Sequence, residues 1–284
     1  MTRRTALTHT MKAAAGAGAA ALIPPALPDT PKEGRLKQSV SWWTYKKYMS
    51  LDDLCKEAVR IGLKGIDLVE PPDWPTIQKH GLVPSMTTGA GTIPDGFNRL
   101  DNHARLETQM RENVARAAEA GLPNVITFSG NRKGMPDAEG LANCVTGLNR
   151  VKKIAEEKNV TINMELLNSK VNHKDYMCDH TAWGVEVCKR VDSPRVKLLY
   201  DIYHMQIMEG DIIRTIRDNF AFLGHFHTGG VPNRHEIDGT QELDYHAVAK
   251  AIADLGYKGF IAHEFVPSAD PIPSLEKAFQ ICTV

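Results

Sequence analysis

The chain has 284 residues, of which 42% are hydrophobic and 24% charged, and its 34 basic and 34 acidic side chains give a formal net charge of zero. This composition predicts a globular protein with a sizeable core, and the lack of a basic surplus argues against nucleic acid as a partner. The five cysteines contain no CxxC pair, which argues against both a disulfide scaffold and a cysteine-based zinc site.

The first 31 residues differ in character from the rest of the chain. Arg3 and Arg4 form a twin-arginine pair, an Ala/Gly-rich run follows at 13–23, and Pro24 comes next. A charged start, a short apolar middle and a proline-rich exit are typical of a twin-arginine-type signal peptide, while a disordered tail is the alternative. The run is too short and glycine-rich for stable membrane insertion. A functional leader would export the protein to the periplasm; otherwise the protein stays in the cytoplasm.

After this leader, short apolar runs alternate with longer amphipathic ones. Eight segments have the apolar character of strands: 37–43, 65–69, 82–86, 125–129, 160–166, 196–201, 222–227 and 260–264. Helical patterns lie between them, among them 51–61, 106–120 and 141–158. Gly62, Gly121 and Gly256 follow predicted helix ends, where a left-handed residue is favoured.

The alternation of strands and helices predicts the fold class. Strands separated by helices form parallel sheets, and eight repeats over about 250 residues match a single α/β barrel, the (β/α)8 TIM barrel, spanning residues 32–284. A doubly wound open sheet is the alternative. It is less favoured because no predicted strand is followed by a glycine-rich dinucleotide fingerprint.

The last four predicted strands end in polar residues: Glu165, Asp201, His227 and Glu264. Catalytic groups of such barrels lie at the carboxyl ends of strands, so these side chains should share one rim. Each alone could cap a helix or bond within the core, but three carboxylates together would repel one another. A divalent cation would remove that conflict, and three oxygens with one imidazole suit Mg²⁺ or Mn²⁺ without excluding Zn²⁺ or Co²⁺. Strand alternation places His225 on the same inward face as His227, one layer deeper, as a core group.

Further polar residues fall in the loops beside this rim. His204 follows Asp201 by three residues, Arg234 and Glu236 follow the seventh strand, and Lys174 follows the fifth. Such a mouth suits a small, oxygen-rich, anionic substrate, because arginine can bind a carboxylate through two hydrogen bonds. Glu236 is expected to orient Arg234. Solvated surface charge is the alternative reading of the loop residues.

Four segments of the chain resemble the hydroxypyruvate isomerase family: 162–168, 198–211, 224–238 and 262–265. That family belongs to the xylose-isomerase-like barrels, which also include ketose 3-epimerases and inosose dehydratases. The Glu–Asp–His–Glu set is specific only to this superfamily. The V-P-x-R-H-E stretch together with Y-D-x-Y-H-x-Q points more narrowly to hydroxypyruvate isomerase, and the resemblance covers roughly residues 36–282.

The resemblance implies an enzyme, an intramolecular oxidoreductase that converts hydroxypyruvate to tartronate semialdehyde through a cis-enediolate in glyoxylate metabolism. It implies the metal ligands Glu165, Asp201, His227 and Glu264. It makes Glu165 and Glu264 the proton-transfer residues and places His204 and Arg234 at the substrate. The loop residues Lys174 and Glu236 are further candidates for substrate binding.

Other functions remain open at this point. A ketose 3-epimerase or an inosose dehydratase would use the same metal set on a longer substrate. An exported, non-enzymatic binding protein for sugar acids is the alternative from another class. A DNA-repair nuclease on this barrel would need more histidines and a basic face. The sequence leaves the oligomeric state open, and a homo-oligomer is compatible with it.

Overall fold

The computed structural model describes residues 34–284, so the predicted leader at 1–31 lies outside the described residues. The described part contains nine strands: β1 Lys37–Ser41, β2 Gly65–Asp67, β3 Val83–Pro84, β4 Thr87–Ala90, β5 Asn124–Thr127, β6 Thr161–Glu165, β7 Val196–Asp201, β8 Leu223–Thr228 and β9 Phe260–His263. It also contains ten α-helices: α1 Trp42–Tyr45, α2 Leu51–Ile61, α3 Trp74–Lys79, α4 His103–Glu119, α5 Asp137–Lys158, α6 Thr181–Val191, α7 Ile202–Met208, α8 Ile212–Asn219, α9 Tyr245–Asp254 and α10 Pro271–Cys282. No helix within 34–284 is long and apolar enough to cross a membrane.

The strands form one parallel sheet that turns back on itself. Its order is β3-β2-β1-β9-β8-β7-β6-β5-β4. The two ends of this order, β3 and β4, are separated along the chain only by Ser85 and Met86. A bridge between Val69, which lies two residues after β2, and Thr87 of β4 links the two sides of the gap. The sheet is therefore a nearly closed barrel, as predicted, and the doubly wound open sheet is excluded.

The third predicted strand, 82–86, requires a correction, because the structure divides this region into β3 and β4. β3 pairs with β2 on one side, whereas β4 pairs with β5 on the other. Pro84 has no backbone N–H to donate, which limits the ladder that β3 can make. The chain changes its pairing partner after this proline, and that change closes the barrel.

The predicted helices are present, and α2 has the predicted bounds. The hydroxyl of Ser50 caps α2 by accepting a hydrogen bond from the N–H of Asp53, and Gly62 ends it with φ of 108°. The helix α4 begins at His103, three residues before its predicted start.

Two hydrophobic cores hold the barrel. A large core lies between the strands and the surrounding helices, and all five cysteines are buried as free thiols. A smaller, separate core consists of Met86, Ile126 and Leu199, with Leu68 and Phe128 packed against it. Because parallel barrel strands alternate inward and outward side chains, this second core fills part of the barrel interior. The rest of the interior is polar and forms the site described below.

Gly65 provides a test of the barrel closure. A Cβ at this position would lie 2.5 Å from the carbonyl oxygen of Val83, its partner on β3. We expect Gly65→Ala to lower the free energy of unfolding by about 1–3 kcal/mol, because the strands cannot separate without losing their ladder. Urea unfolding should show this loss relative to Gly239→Ala, since a Cβ on Gly239 meets no atom within 4 Å. Equal stability of the two variants would contradict the close approach of β2 and β3.

Candidate active site

Four strand ends meet on the barrel rim. Glu165 ends β6, Asp201 ends β7, His227 lies in β8, and Glu264 directly follows β9. One ligand atom from each residue lies within 4.8 Å of the others, and all four residues are buried. The structure thus brings together the complete set of predicted metal ligands.

A β-bulge turns the histidines of β8 into the barrel. The paired residues on β7 are consecutive, Leu198 and Leu199. Their partners on β8 are Leu223 and His225, so Gly224 between them is an extra residue. His225 therefore points into the barrel, as its partner Leu199 does. His227, two residues further along β8, points the same way. A Cβ on Gly224 would collide with a side chain of β6, which explains the glycine.

The donor set fits a divalent cation. Nδ1 of His227 lies 2.5 Å from Oε2 of Glu264, 3.6 Å from Oε1 of Glu165 and 3.9 Å from Oδ2 of Asp201. Despite these short distances, this buried nitrogen has no hydrogen-bond partner among the described residues. An imidazole nitrogen that faces three carboxylates without a hydrogen bond has the chemistry of a metal ligand.

The two glutamates of the site differ in proton affinity. Burial raises the pKa of Glu165 to about 7; repulsion from Glu264 and Asp201 adds to this effect, and His227 opposes it. Burial acts on Glu264 in the same direction, but Arg234 and His227 outweigh it and hold the pKa of that carboxyl at about 2. Two chemically identical groups on one rim thus have different protonation behaviour.

Arg234 lies inside the site, as predicted. Its Nη2 donates to Oδ2 of Asp201 at 2.7 Å and also to a carboxylate oxygen of Glu264, while its Nε donates to the Glu264 carbonyl at 3.1 Å. Nη1 lies 2.8 Å from Nε2 of His204. Asn233 and Arg234 have φ of 75° and 59°, a strained conformation for residues other than glycine that recurs at ligand-binding sites.

The structure corrects the other two predicted substrate residues. Lys174 is exposed and does not line the cavity beside the rim. Glu236 accepts hydrogen bonds from the N–H of Ser268 at 2.8 Å and the hydroxyl of Ser274 at 3.0 Å. Burial raises the pKa of Glu236, but hydrogen bonds from the hydroxyl of Ser268 and from backbone N–H groups, including those of Ala269 and Ser268, outweigh it and lower the pKa to about 2. The carboxylate therefore fastens the loop after β9 instead of orienting Arg234.

Asp67, the last residue of β2, is a buried site residue that the sequence analysis missed. Its Oδ2 lies 2.8 Å from Nε2 of His227, and its Oδ1 lies 3.1 Å from Nε2 of His225. The 2.8 Å separation between Nε2 of His227 and Oδ2 of Asp67 is that of a hydrogen bond. Nε2 of His227 donates to Asp67, which leaves Nδ1 free to face the carboxylates. The sequence analysis extended this strand to Val69, so Asp67 was not recognised as a residue at the end of a strand.

A cavity of about 530 Å³ adjoins the rim. Glu165, Glu264, His204 and Arg234 line its polar side, and most of the remaining lining is apolar. Trp43, a second residue that the sequence analysis missed, donates from Nε1 to Oε1 of Glu264 at 2.6 Å. The volume is that of a pocket for a small molecule, with polar groups gathered at one end.

We expect Asp67→Asn to weaken metal binding by about 10–100-fold, because the variant loses the carboxylate that orients His227 and raises its basicity. The dissociation constant for Mn²⁺, measured by electron paramagnetic resonance, tests this expectation. Asp254→Asn, at an exposed position, is the matched control. An unchanged Mn²⁺ affinity in a folded Asp67→Asn protein would refute the assigned role.

Comparison with known proteins identifies the family. The family model described as "Xylose isomerase-like TIM barrel" matches residues 55–281. The chain therefore belongs to the xylose isomerase-like TIM barrel family, which confirms the predicted resemblance at that level.

Within this family, the similar curated proteins include isomerases. A Mus musculus protein named "Putative hydroxypyruvate isomerase" is 23% identical over 261 residues, covering 85% of this chain and 92% of that protein. A Danio rerio protein of the same name is 28% identical over 187 residues, 66% of this chain and 55% of that protein. A 2-oxo-tetronate isomerase of Cupriavidus necator is 35% identical over 115 residues, covering 40% and 44%. The matches thus span about half the length of the zebrafish and Cupriavidus relatives.

Solved structures share the fold. An AP endonuclease, family 2, from Brucella melitensis has a TM-score of 0.76 at 21% identity, covering 84% of this chain and 97% of that chain. A D-psicose 3-epimerase in the presence of D-fructose has a TM-score of 0.68 at 20% identity, covering 86% and 90%. The IOLI protein with a binding zinc atom has a TM-score of 0.66 at 15% identity, covering 87% and 95%.

Proposed function

We propose that the protein is a divalent-metal-dependent isomerase that converts hydroxypyruvate to tartronate semialdehyde (2-hydroxy-3-oxopropanoate). The observation that carries this proposal is the convergence of Glu165, Asp201, His227 and Glu264 beside a cavity that also holds Arg234. The names of the mouse and zebrafish relatives support the keto-acid substrate, and the zinc of the IOLI structure supports a metal at this rim.

The reaction moves hydrogen between two neighbouring carbons. C3 of hydroxypyruvate loses a proton, C2 gains one, and the hydroxyl proton moves from O3 to O2, so atoms and electrons balance through a cis-enediolate. Glu165 and Glu264 lie on the same rim and carry the two proton transfers: one of them takes the C3 proton as a base, and the other supplies the C2 proton as an acid. A bound Mg²⁺ or Mn²⁺, held by the four-residue set, would supply Lewis acidity that lowers the C–H pKa.

The remaining residues of the site bind the substrate and keep water out. Arg234 presents N–H groups that match the two oxygens of a carboxylate, the feature that separates hydroxypyruvate from a simple sugar. The largely apolar lining excludes water, which strengthens the electrostatic interactions within the site. A small anionic substrate would therefore be held at the polar end of the cavity.

A substrate panel distinguishes this activity from its rivals. Turnover of D-fructose or D-tagatose, without turnover of hydroxypyruvate, would indicate a ketose 3-epimerase. An ultraviolet-absorbing product from an inosose would indicate a dehydratase. Calorimetric binding without exchange of any carbon-bound proton would indicate a binding protein. Conversion of 2-oxo-tetronate in preference to hydroxypyruvate would keep the chemistry and lengthen the substrate by one carbon.

We expect Glu264→Gln to lower kcat for hydroxypyruvate by about 10²–10⁴-fold, because it removes a proton-transfer group while keeping the side-chain shape and an acceptor for Trp43. Steady-state kinetics of the Mg²⁺-loaded protein measure the effect. Glu276→Gln, which changes a half-buried glutamate of α10 paired with Arg60, should retain full activity. Near-normal turnover of a metal-loaded Glu264→Gln protein would refute the catalytic role.

A further inference from the structure

The side chain of Asn168, in the loop after β6, has only one reasonable orientation. Its Oδ1 accepts hydrogen bonds from the backbone N–H of Val171 at 3.0 Å and of Asn172 at 2.8 Å. Because a backbone N–H can only donate, Oδ1 and not Nδ2 must face these groups. Nδ2 then donates to Oδ1 of Asn172 at 2.7 Å and points at Nδ1 of His204, 2.6 Å away. Rotating the amide by 180° would lose both hydrogen bonds from the backbone N–H groups.

This orientation determines which nitrogen of His204 carries the proton. Nδ2 of Asn168 can only donate, so Nδ1 of His204 must be an unprotonated acceptor. The single proton of the imidazole therefore sits on Nε2.

The ring itself is held in place. His204 is fully buried, and its ring centroid lies 5.0 Å from that of Tyr203 and 5.2 Å from that of His173. The backbone N–H of His204 donates to Oδ1 of Asp201 at 3.1 Å. His204 lines the cavity, so its Nε2–H is a hydrogen-bond donor at a fixed place on the wall.

The group that faces Nε2–H of His204 in the structure is another hydrogen-bond donor, the guanidinium of Arg234. Nη1 of Arg234 lies 2.8 Å from Nε2 of His204, and a guanidinium has no acceptor. Two N–H groups that meet in this way both lack an acceptor, and an oxygen atom of a ligand would satisfy both. Asn168 is fully buried and fully bonded, whereas the long side chain of Arg234 is 14% exposed. Arg234 is therefore the group that shifts to admit the oxygen.

We propose that Asn168 is a positioning residue, which holds His204 as a neutral Nε2–H donor to a substrate oxygen that Arg234 also contacts. A neutral imidazole stabilises negative charge on that oxygen without giving up its proton, in the manner of an oxyanion-hole donor. The kinetic consequence rests on the proposed isomerase function, but the placement of the proton does not.

The variant Asn168→Asp tests the proposal with little change in shape. Its carboxylate can still accept from Val171 and Asn172, but it presents an acceptor to Nδ1 of His204. We expect the proton of His204 to move to Nδ1, so that Nε2 no longer donates to the substrate. Nitrogen-15 NMR of the histidine-labelled full-length protein, loaded with Mg²⁺, reports the tautomer, and His204→Gln assigns the signals.

The expected results are an Nε2–H tautomer in the wild type, an Nδ1–H tautomer in Asn168→Asp, and a kcat lowered by about 10²–10³-fold with a smaller change in KM. Asn168→Ala, which removes the donor without adding charge, should give a mixture of tautomers. Asn219→Asp, at the end of α8, should keep both the spectrum and kcat.

A wild-type His204 protonated on Nδ1, or a tautomer unchanged in Asn168→Asp, would overturn the inference. The spectrum decides this even if hydroxypyruvate proves not to be the substrate, so the two failures are distinguishable.

Discussion

Repulsion among three buried carboxylates governs the site. Glu165, Asp201 and Glu264 lie at the carboxyl ends of β6, β7 and β9, and like charges removed from water cannot stand together without positive charge beside them. The protein supplies positive charge from Arg234, which contacts Asp201 and Glu264, and it places His227 against the same carboxylates as a ligand for a cation. Each of the two is placed by an unusual backbone feature, a β-bulge before the histidine and a left-handed loop at the arginine. The three carboxylates therefore require positive charge beside them, and a divalent cation can supply it.

The two imidazoles of the site use the same tautomer for opposite purposes. In His227 the protonated Nε2 points at Asp67, so the lone pair of Nδ1 faces the carboxylates. In His204 the lone pair of Nδ1 receives Asn168, so the protonated Nε2 faces the cavity. A carboxylate partner turns one ring into a ligand, and an amide donor turns the other into a hydrogen-bond donor. Neither partner lines the cavity, yet both decide what the cavity presents to a ligand.

Hydrophobic periodicity was sufficient to predict the barrel and to gather four polar strand ends on one rim, because strand ends in a parallel barrel share an edge. Asp67 escaped this reasoning because its strand was predicted two residues too long. The direction of Glu236 depends on serines more than 30 residues later in the chain, and the division of the third strand depends on its two neighbours in the sheet. Such features arise from tertiary contacts, which local patterns do not contain.

The most direct measurement is proton NMR of the protein loaded with Mg²⁺ or Mn²⁺, freed of excess metal and mixed with hydroxypyruvate in D₂O. The proposed enediolate route predicts metal-dependent formation of tartronate semialdehyde that carries deuterium at C2, because the proton on the catalytic glutamate exchanges with solvent. Neither conversion nor deuterium uptake in the metal-loaded protein would contradict hydroxypyruvate isomerisation at this site.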